Sequence, residues 1–271
     1  MDTAAIADKD ALDRAQRIHR EHIVIDTMAP SFIAEWVVTP PMVELGKRMQ
    51  SEGRKRSAIQ AALADYLIEH CEGDAATRDA YLEYWRRAGV SACNNTLYAS
   101  GPPDSAWDSL ISEFGRAGRL LNALGGAVVQ ANSAADIERA HRDGKRAVFY
   151  NVQSPEPLGD KLGRVDTLYG LGLRAMQLTY NLRSRFGDGC LEKNDGGLSR
   201  LGEALVHKMN ERRMMLDVSH ASVRTAGEAT AASAAPVIAS HTAAHAISEH
   251  ARALPDAVLR SIAQRGGYTA C

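Results

Sequence analysis

The sequence lacks paired-cysteine spacing, long apolar runs and any excess of charge of one sign. Its four cysteines, Cys71, Cys93, Cys190 and Cys271, lie far apart with no CxxC pair. That argues against a zinc ribbon, offers no disulfide framework and suits a reducing, cytoplasmic setting. The N-terminal stretch MDTAAIADKDALDRAQRIHREH mixes charge with short apolar residues and has no apolar core of the kind a secretory signal or a membrane span needs. An exposed helical extension over residues 1–21 is expected instead, on a single domain covering 1–271. Lys plus Arg total 32 against 33 Asp plus Glu, and no stretch concentrates one sign. Nucleic acid and anionic membranes are therefore not expected partners, and a small molecule is. Internal repeats, low-complexity tracts and linkers rich in Pro, Gly or Ser are also missing.

What is present is enough apolar sequence for one sizeable core: 271 residues, 45% of them hydrophobic. Seven short β-branched or apolar runs read as strands: His22–Thr27, Val90–Tyr98, Ala147–Val152, Leu173–Tyr180, Met214–Val218, Pro236–Ser240 and Gly267–Cys271. They alternate with helical stretches, the pattern of parallel strands covered by helices. Ile59, Leu63 and Leu67, then Tyr81, Leu82 and Trp85, predict two helices within Arg54–Arg87, split by turn residues at Glu72–Gly73–Asp74. Leu201, Leu205 and Met209 mark another packing helix, and Val258, Leu259 and Ile262 a further one. Val128–Val129 reads either as a short strand or as the approach to a helix starting near Ser133.

Two segments share one grammar. MMLDVSH (Met214–His220) and PVIASH (Pro236–His241) are apolar strands that end in Ser-His. In a barrel of parallel strands the carboxyl ends open on one mouth, so His220 and His241 are placed to converge. Imidazole is the commonest metal ligand, and a hydrolytic zinc site needs about three protein ligands with one position left open. A single such histidine reads most simply as a strand-end residue bonded to a loop; the repeated arrangement favours function. The remaining histidines lie in helical or charged contexts and read as surface residues.

The order and spacing of LGLRAMQLTYN, DGGLSRLGEALVHKMNERRMMLDVSHAS, PVIASHTAAHAISEHARALPD and GGYTAC resemble the membrane (renal) dipeptidase family from residue 22 onward, most densely between Gly170 and Gly267. The resemblance implies an amidohydrolase-like (β/α)8 TIM barrel that is incomplete here, with about seven strands present and the eighth strand and its helix missing. It also implies a metallopeptidase that hydrolyses dipeptides and related small amides bearing a free carboxylate, with metal-bound hydroxide attacking the carbonyl. Carried over, His220 and His241 match the histidines of the second zinc site, and Arg252 matches the arginine whose guanidinium fork holds the substrate carboxylate.

The departures from that family fall on chemistry. Where it has Asp-Gly-His-x-Asp, IVIDTMAP puts Met28 and Pro30 at the two ligand positions, so one zinc ion is expected rather than two. The bridging glutamate is matched by Gln153, a neutral and weaker metal ligand. The substrate-side histidine is matched by Tyr180, whose phenol can still donate to a developing oxyanion. Cys190, in the polar loop RFGDGCLEKNDGGLS, reads as a further soft ligand, a reactive thiol or an inert thiol in a tight turn. The chain is also similar to a divergent dipeptidase-like subgroup with Gln on the third strand, Tyr in the QLTYN-like strand and a GxGC loop, which makes the substitutions one coherent alternative site.

An open barrel edge calls for a cover, in a homo-oligomer or from another chain. Three readings of function follow: a mononuclear metal-dependent hydrolase using His220, His241 and Gln153; a non-catalytic carboxylate-binding protein; and a metal-assisted tailoring enzyme on a non-peptide metabolite.

Overall fold

A computed structural model describes residues 9–29, 38–99 and 101–270. Among the described residues there are eight strands: β1 (Ile25–Ala29), β2 (Ala92–Thr96), β3 (Val128–Gln130), β4 (Arg146–Val152), β5 (Leu173–Gln177), β6 (Met215–Asp217), β7 (Val237–Ala239) and β8 (Tyr268–Thr269). All belong to one sheet with the path β1-β2-β4-β5-β6-β7-β8, to which β3 is added through β4. The pairings from β3 to β8 are parallel. Among the described residues no pairing joins β1 to β8, so the fold is the incomplete (β/α) barrel expected, with seven strands on its path. The ambiguous Val128–Val129 segment forms β3, only three residues long before the Ser133 cap of the next helix. The expected last strand is shorter than its segment, Tyr268–Thr269, and Cys271 lies outside the described residues.

The described residues fall into two compact units, the first taking in 9–26, 38–94 and 119–148. Here α1 (Lys9–Glu21) has no buried side chain. After α2 (Pro40–Ser51), α3 (Arg56–Gly73) and α4 (Ala75–Ala88) divide where the turn chemistry places the break. Asp74 makes that break, because its carboxylate accepts from the free N–H groups of Ala76 and Thr77 and so starts a new helix. Leu67, Ile68, Cys71, Tyr81 and Trp85 are buried along the two helices. β3 pairs with the first half of β4, Val128 opposite Arg146, and α6 (Ala134–Arg142) follows it.

The second unit takes in 27–29, 95–99, 101–118 and 149–270, with α5 (Pro103–Ala123) running out of it. It is a regular alternation of strand and helix: α7 (Arg164–Gly170), α8 (Arg200–Glu211), α9 (Val223–Ala232) and α10 (Asp256–Gln264) between β4, β5, β6, β7 and β8. Val152, Leu173, Met176, Leu216, Val237 and Ile238 are buried, the near-continuous apolar run of strands covered by helices. Leu205, Val206 and Met209 of α8 and Val258 and Ile262 of α10 are buried too. Between β6 and α9 only five residues intervene, and Ser222 ends that turn by accepting from Thr225 N as the helix cap. His220 is thus pinned between a strand end and a helix start.

Candidate functional site

His220 and His241 come together as the strand grammar anticipates. Their Nε2 atoms face each other at 2.9 Å, with ring centroids 4.9 Å apart. His220 reaches that position through a left-handed backbone, φ 66°, unusual for a residue with a side chain. The conformation costs about 1–2 kcal/mol and persists because its surroundings hold it. Cys190 N donates to the His220 carbonyl at 2.8 Å, Ala221 N to the Val218 carbonyl at 3.1 Å, and the ring Nδ1 contacts Asn181 Oδ1 at 2.7 Å. On the other side, His241 N donates to Ser219 Oγ at 3.1 Å and its Nδ1 contacts Ser240 Oγ at 2.8 Å.

Beneath the pair lies Asp217, 1% exposed, the last residue of β6. Its Oδ1 accepts from Ser219 N at 2.9 Å and Ser240 N at 3.2 Å; its Oδ2 accepts from Ser240 Oγ at 2.5 Å and Gln177 Nε2 at 3.2 Å. A buried carboxylate with this many donors is fully hydrogen-bonded without a cation beside it.

Arg252 adjoins the histidines. Its Nη2 donates to the His241 carbonyl at 3.1 Å, while its buried Nη1 has no hydrogen-bond partner among the described residues. Leaving a guanidinium N–H buried and unpaired costs roughly 1–3 kcal/mol, and a carboxylate would remove that cost. Burial pulls the Arg252 pKa down, countered by Cys190, Tyr180 and Asp217. Burial also holds His220 neutral, its pKa pushed down to about 3 with help from Arg252 and His241. His241 is lowered by burial and Arg252 against the pull of Asp217.

Tyr180 stacks on the His220 ring, centroids 4.1 Å apart and planes 24° apart, with 47% of its surface open to solvent. Cys190 points its thiol at Asn181 Oδ1, 3.8 Å away, and burial raises its pKa despite Arg252. It is a thiol here, not a poised thiolate. Its loop is clamped from within: Arg183 forks onto Asp188, Nε to Oδ1 at 2.6 Å and Nη2 to Oδ2 at 3.0 Å, and Gly196 N adds a third donor at 2.6 Å. A side chain on Gly189 would meet the Asn181 carbonyl carbon at 2.4 Å, so only glycine lets the loop pass so close to Asn181.

The structure therefore unites His220, His241, Arg252, Tyr180 and Cys190. The Gln153 amide donates to Thr96 Oγ1 at 3.5 Å. Met28 is half-buried on β1, and Pro30 lies outside the described residues. Sequence reasoning missed Asp217, Asn181 and the roles of Ser219 and Ser240. The signal was in DVSH, ASH and LTYN, where a polar residue sits next to each strand-end ring.

The donor set fits a cation in part. Two imidazole nitrogens converge within reach of one ion, whose ligands in a tetrahedral zinc site would stand roughly 3.3 Å apart. Among the described residues, no group of three or more His, Cys, Asp or Glu side chains is placed to hold a metal. No described helix is long and apolar enough to cross a membrane.

The sequence model of the family described as membrane dipeptidase (peptidase family M19) matches residues 12–270. The dipeptidase verJ of Clonostachys rogersoniana is 34% identical over 139 residues, which are 51% of this chain and 36% of that protein. An amidohydrolase from Pseudomonas aeruginosa superposes with a TM-score of 0.69 at 26% identity, covering 93% of this chain and 63% of that one. The probable dipeptidase PvdM of the same organism gives 0.71 at 21% identity over 97% of this chain and 63% of its own. A Rhodobacter sphaeroides metallopeptidase, solved with a phosphinate mimic of L-Ala-D-Ala, gives 0.69 at 20% identity over 91% and 72%. The last two likenesses concern the fold alone. The chain spans about a third of the curated dipeptidase's length (36%) and 63% of each Pseudomonas aeruginosa chain.

Proposed function

Because this chain belongs to the membrane dipeptidase family, peptidase family M19, we propose that it is a metal-dependent hydrolase of a small dipeptide-like amide with a free carboxylate. One zinc ion is held by His220 and His241, with Gln153 and Cys190 as further candidate ligands. The observation that supports this reading most is the pair of facing Nε2 atoms beside Arg252, whose Nη2 donates to the His241 carbonyl while its Nη1 has no hydrogen-bond partner among the described residues. When bound, the ion supplies Lewis-acid polarisation of the amide carbonyl and lowers the pKa of a coordinated water. The chain's own residues do the rest. Arg252 takes the carboxylate and so fixes the direction in which the amide lies. Tyr180, half open to solvent above His220, offers its hydroxyl to the carbonyl oxygen as charge develops there. In this reading Met28, Pro30 and Gln153 belong to a divergent, one-metal site.

Elemental analysis and a dipeptide turnover assay test it together. Purified protein is expected to carry close to one equivalent of transition metal, and chelation is expected to abolish turnover. Protein that neither holds nor takes up zinc, iron or manganese would falsify the reading. A second reading, a carboxylate-binding protein without catalysis, is favoured by the missing third acidic, histidine or cysteine ligand among the described residues. Dipeptide binding that survives chelation, with no turnover, would establish it. Among the described residues no pairing joins β1 to β8, and on either reading we expect this open side to be covered by a second copy of the chain or by another segment; light scattering on the purified protein separates these.

A further inference from the structure

The two imidazoles present a puzzle that their neighbours resolve. A hydroxyl has one proton, and that of Ser240 goes to Asp217 Oδ2 at 2.5 Å. Toward His241 Nδ1, 2.8 Å away, Ser240 Oγ can then only accept, so Nδ1 carries the ring proton. Asn181 Oδ1 accepts from the Cys190 thiol at 3.8 Å and, being an amide oxygen, can only accept from His220 Nδ1 at 2.7 Å as well. A ring that carries its proton on Nδ1 has its Nε2 lone pair free for a cation, and the two Nε2 atoms face each other 2.9 Å apart.

We propose that Ser240, backed by Asp217, and Asn181 are positioning residues that hold both histidines in the Nδ1–H tautomer and aim their Nε2 lone pairs at one point. This deepens the metal-binding reading above and rests on it for its purpose, while the tautomers themselves need no metal. Such outer partners of ligating histidines fix ring orientation and raise basicity, and losing one typically weakens metal affinity about 10–100-fold. The relay is also asymmetric. His241 is governed through two groups from β6 and β7, whereas His220 depends on a single amide oxygen at the root of the clamped loop.

The test is a long-range proton–nitrogen imidazole spectrum of the metal-stripped, nitrogen-15-labelled full chain, paired with zinc affinity by competition with a chromogenic chelator. In the unaltered protein both rings should show Nδ1–H. Ser240→Ala should release His241 into a tautomer mixture and weaken zinc about 10–100-fold, while Ser240→Thr keeps both properties. Asp217→Asn should reverse the chain of donors, because its amide N–H can turn the Ser240 hydroxyl onto Nδ1 and put the proton on Nε2. Should the Ser240 or Asp217 variants fail to fold, Asn181→Leu against Asn181→Asp gives the same contrast at His220. Folded Ser240→Ala and Asn181→Leu proteins with unmoved tautomers and zinc affinity within about twofold would overturn the proposal and leave the metal reading standing. Tautomers as stated in a protein that never binds zinc would uphold the positioning role and sink the metal reading.

Discussion

The ends of β6 and β7 differ from the ends of β1 and β4 in what stands behind each side chain. At β6 and β7 every functional group has a dedicated support: His220 has Asn181, His241 has Ser240, and Ser240 has Asp217. At β4 the corresponding position is Gln153, neutral and joined to Thr96 at 3.5 Å, and at β1 it is the thioether of Met28. A ligand that must present a lone pair needs its other atoms occupied, and the ends of β6 and β7 meet that condition.

The largest effect should come from breaking the supported side. His220→Ala or His241→Ala is expected to remove bound metal and reduce dipeptide turnover by about a thousandfold or more, whereas Met28→Ala leaves metal content unchanged. Metal analysis of the three variants side by side makes the comparison direct. If Met28→Ala also strips the metal, the two sides are not unequal and the one-ion reading fails. Next comes Arg252→Met, for which the loss of a charge-assisted contact of about 2–3 kcal/mol lowers kcat/KM about 30–150-fold. That penalty should disappear for dipeptide amides, which have no carboxylate to hold. An equal loss on both substrates would mean that Arg252 shapes the site rather than reading the ligand.

How much of this was legible follows from the range of each contact. Strands and helices reflect local periodicity, so the seven-strand path, the α3–α4 break at Asp74 and the Ser-His strand ends could be read directly. β3 resisted, since three residues carry too little alternation to separate a strand from a helix approach. The supports resisted for another reason. Asn181 reaches His220 across 39 positions and Asp217 reaches Ser240 across 23, and no local pattern says which polar residue will find which ring. Gln153 was expected with the histidines from its place in an aligned motif, and its hydrogen bond to Thr96 is a contact that the motif does not encode.

A smaller effect concerns the loop that carries Asn181 and Cys190. Asp188 is 3% exposed, and the Arg183 guanidinium first, then the Gly196 N–H, hold its carboxyl below the usual range against the opposing effect of burial. A carboxylate with a depressed folded pKa stabilises above its unfolded value near 3.9, and that stability is lost as pH falls through the folded value. Arg183 is 59% exposed, so the contribution is discounted to about 1–2 kcal/mol. Asp188→Asn should therefore lower the melting temperature by roughly 5 °C at pH 7, and that gap should narrow as pH falls below the ordinary carboxylate value. A gap that stays constant from pH 7 to pH 3 would mean the charge of Asp188 is not what holds the loop.

The smallest expected effect sharpens the comparison most. If the β4 end contributes nothing beyond its own packing, Gln153→Ala should change zinc affinity by less than about fivefold, well short of the 10–100-fold that a lost outer partner of a ligating histidine costs. The side-chain amide would leave Thr96, itself bonded to Asn151 at 3.1 Å, without one partner, so a modest fall in stability accompanies it. A carbonyl oxygen is a weak zinc ligand beside imidazole, and the Gln153 contact to Thr96 is made by the amide nitrogen rather than by that oxygen. Should Gln153→Ala weaken zinc as strongly as Ser240→Ala, the ion draws its third ligand from the end of β4 after all.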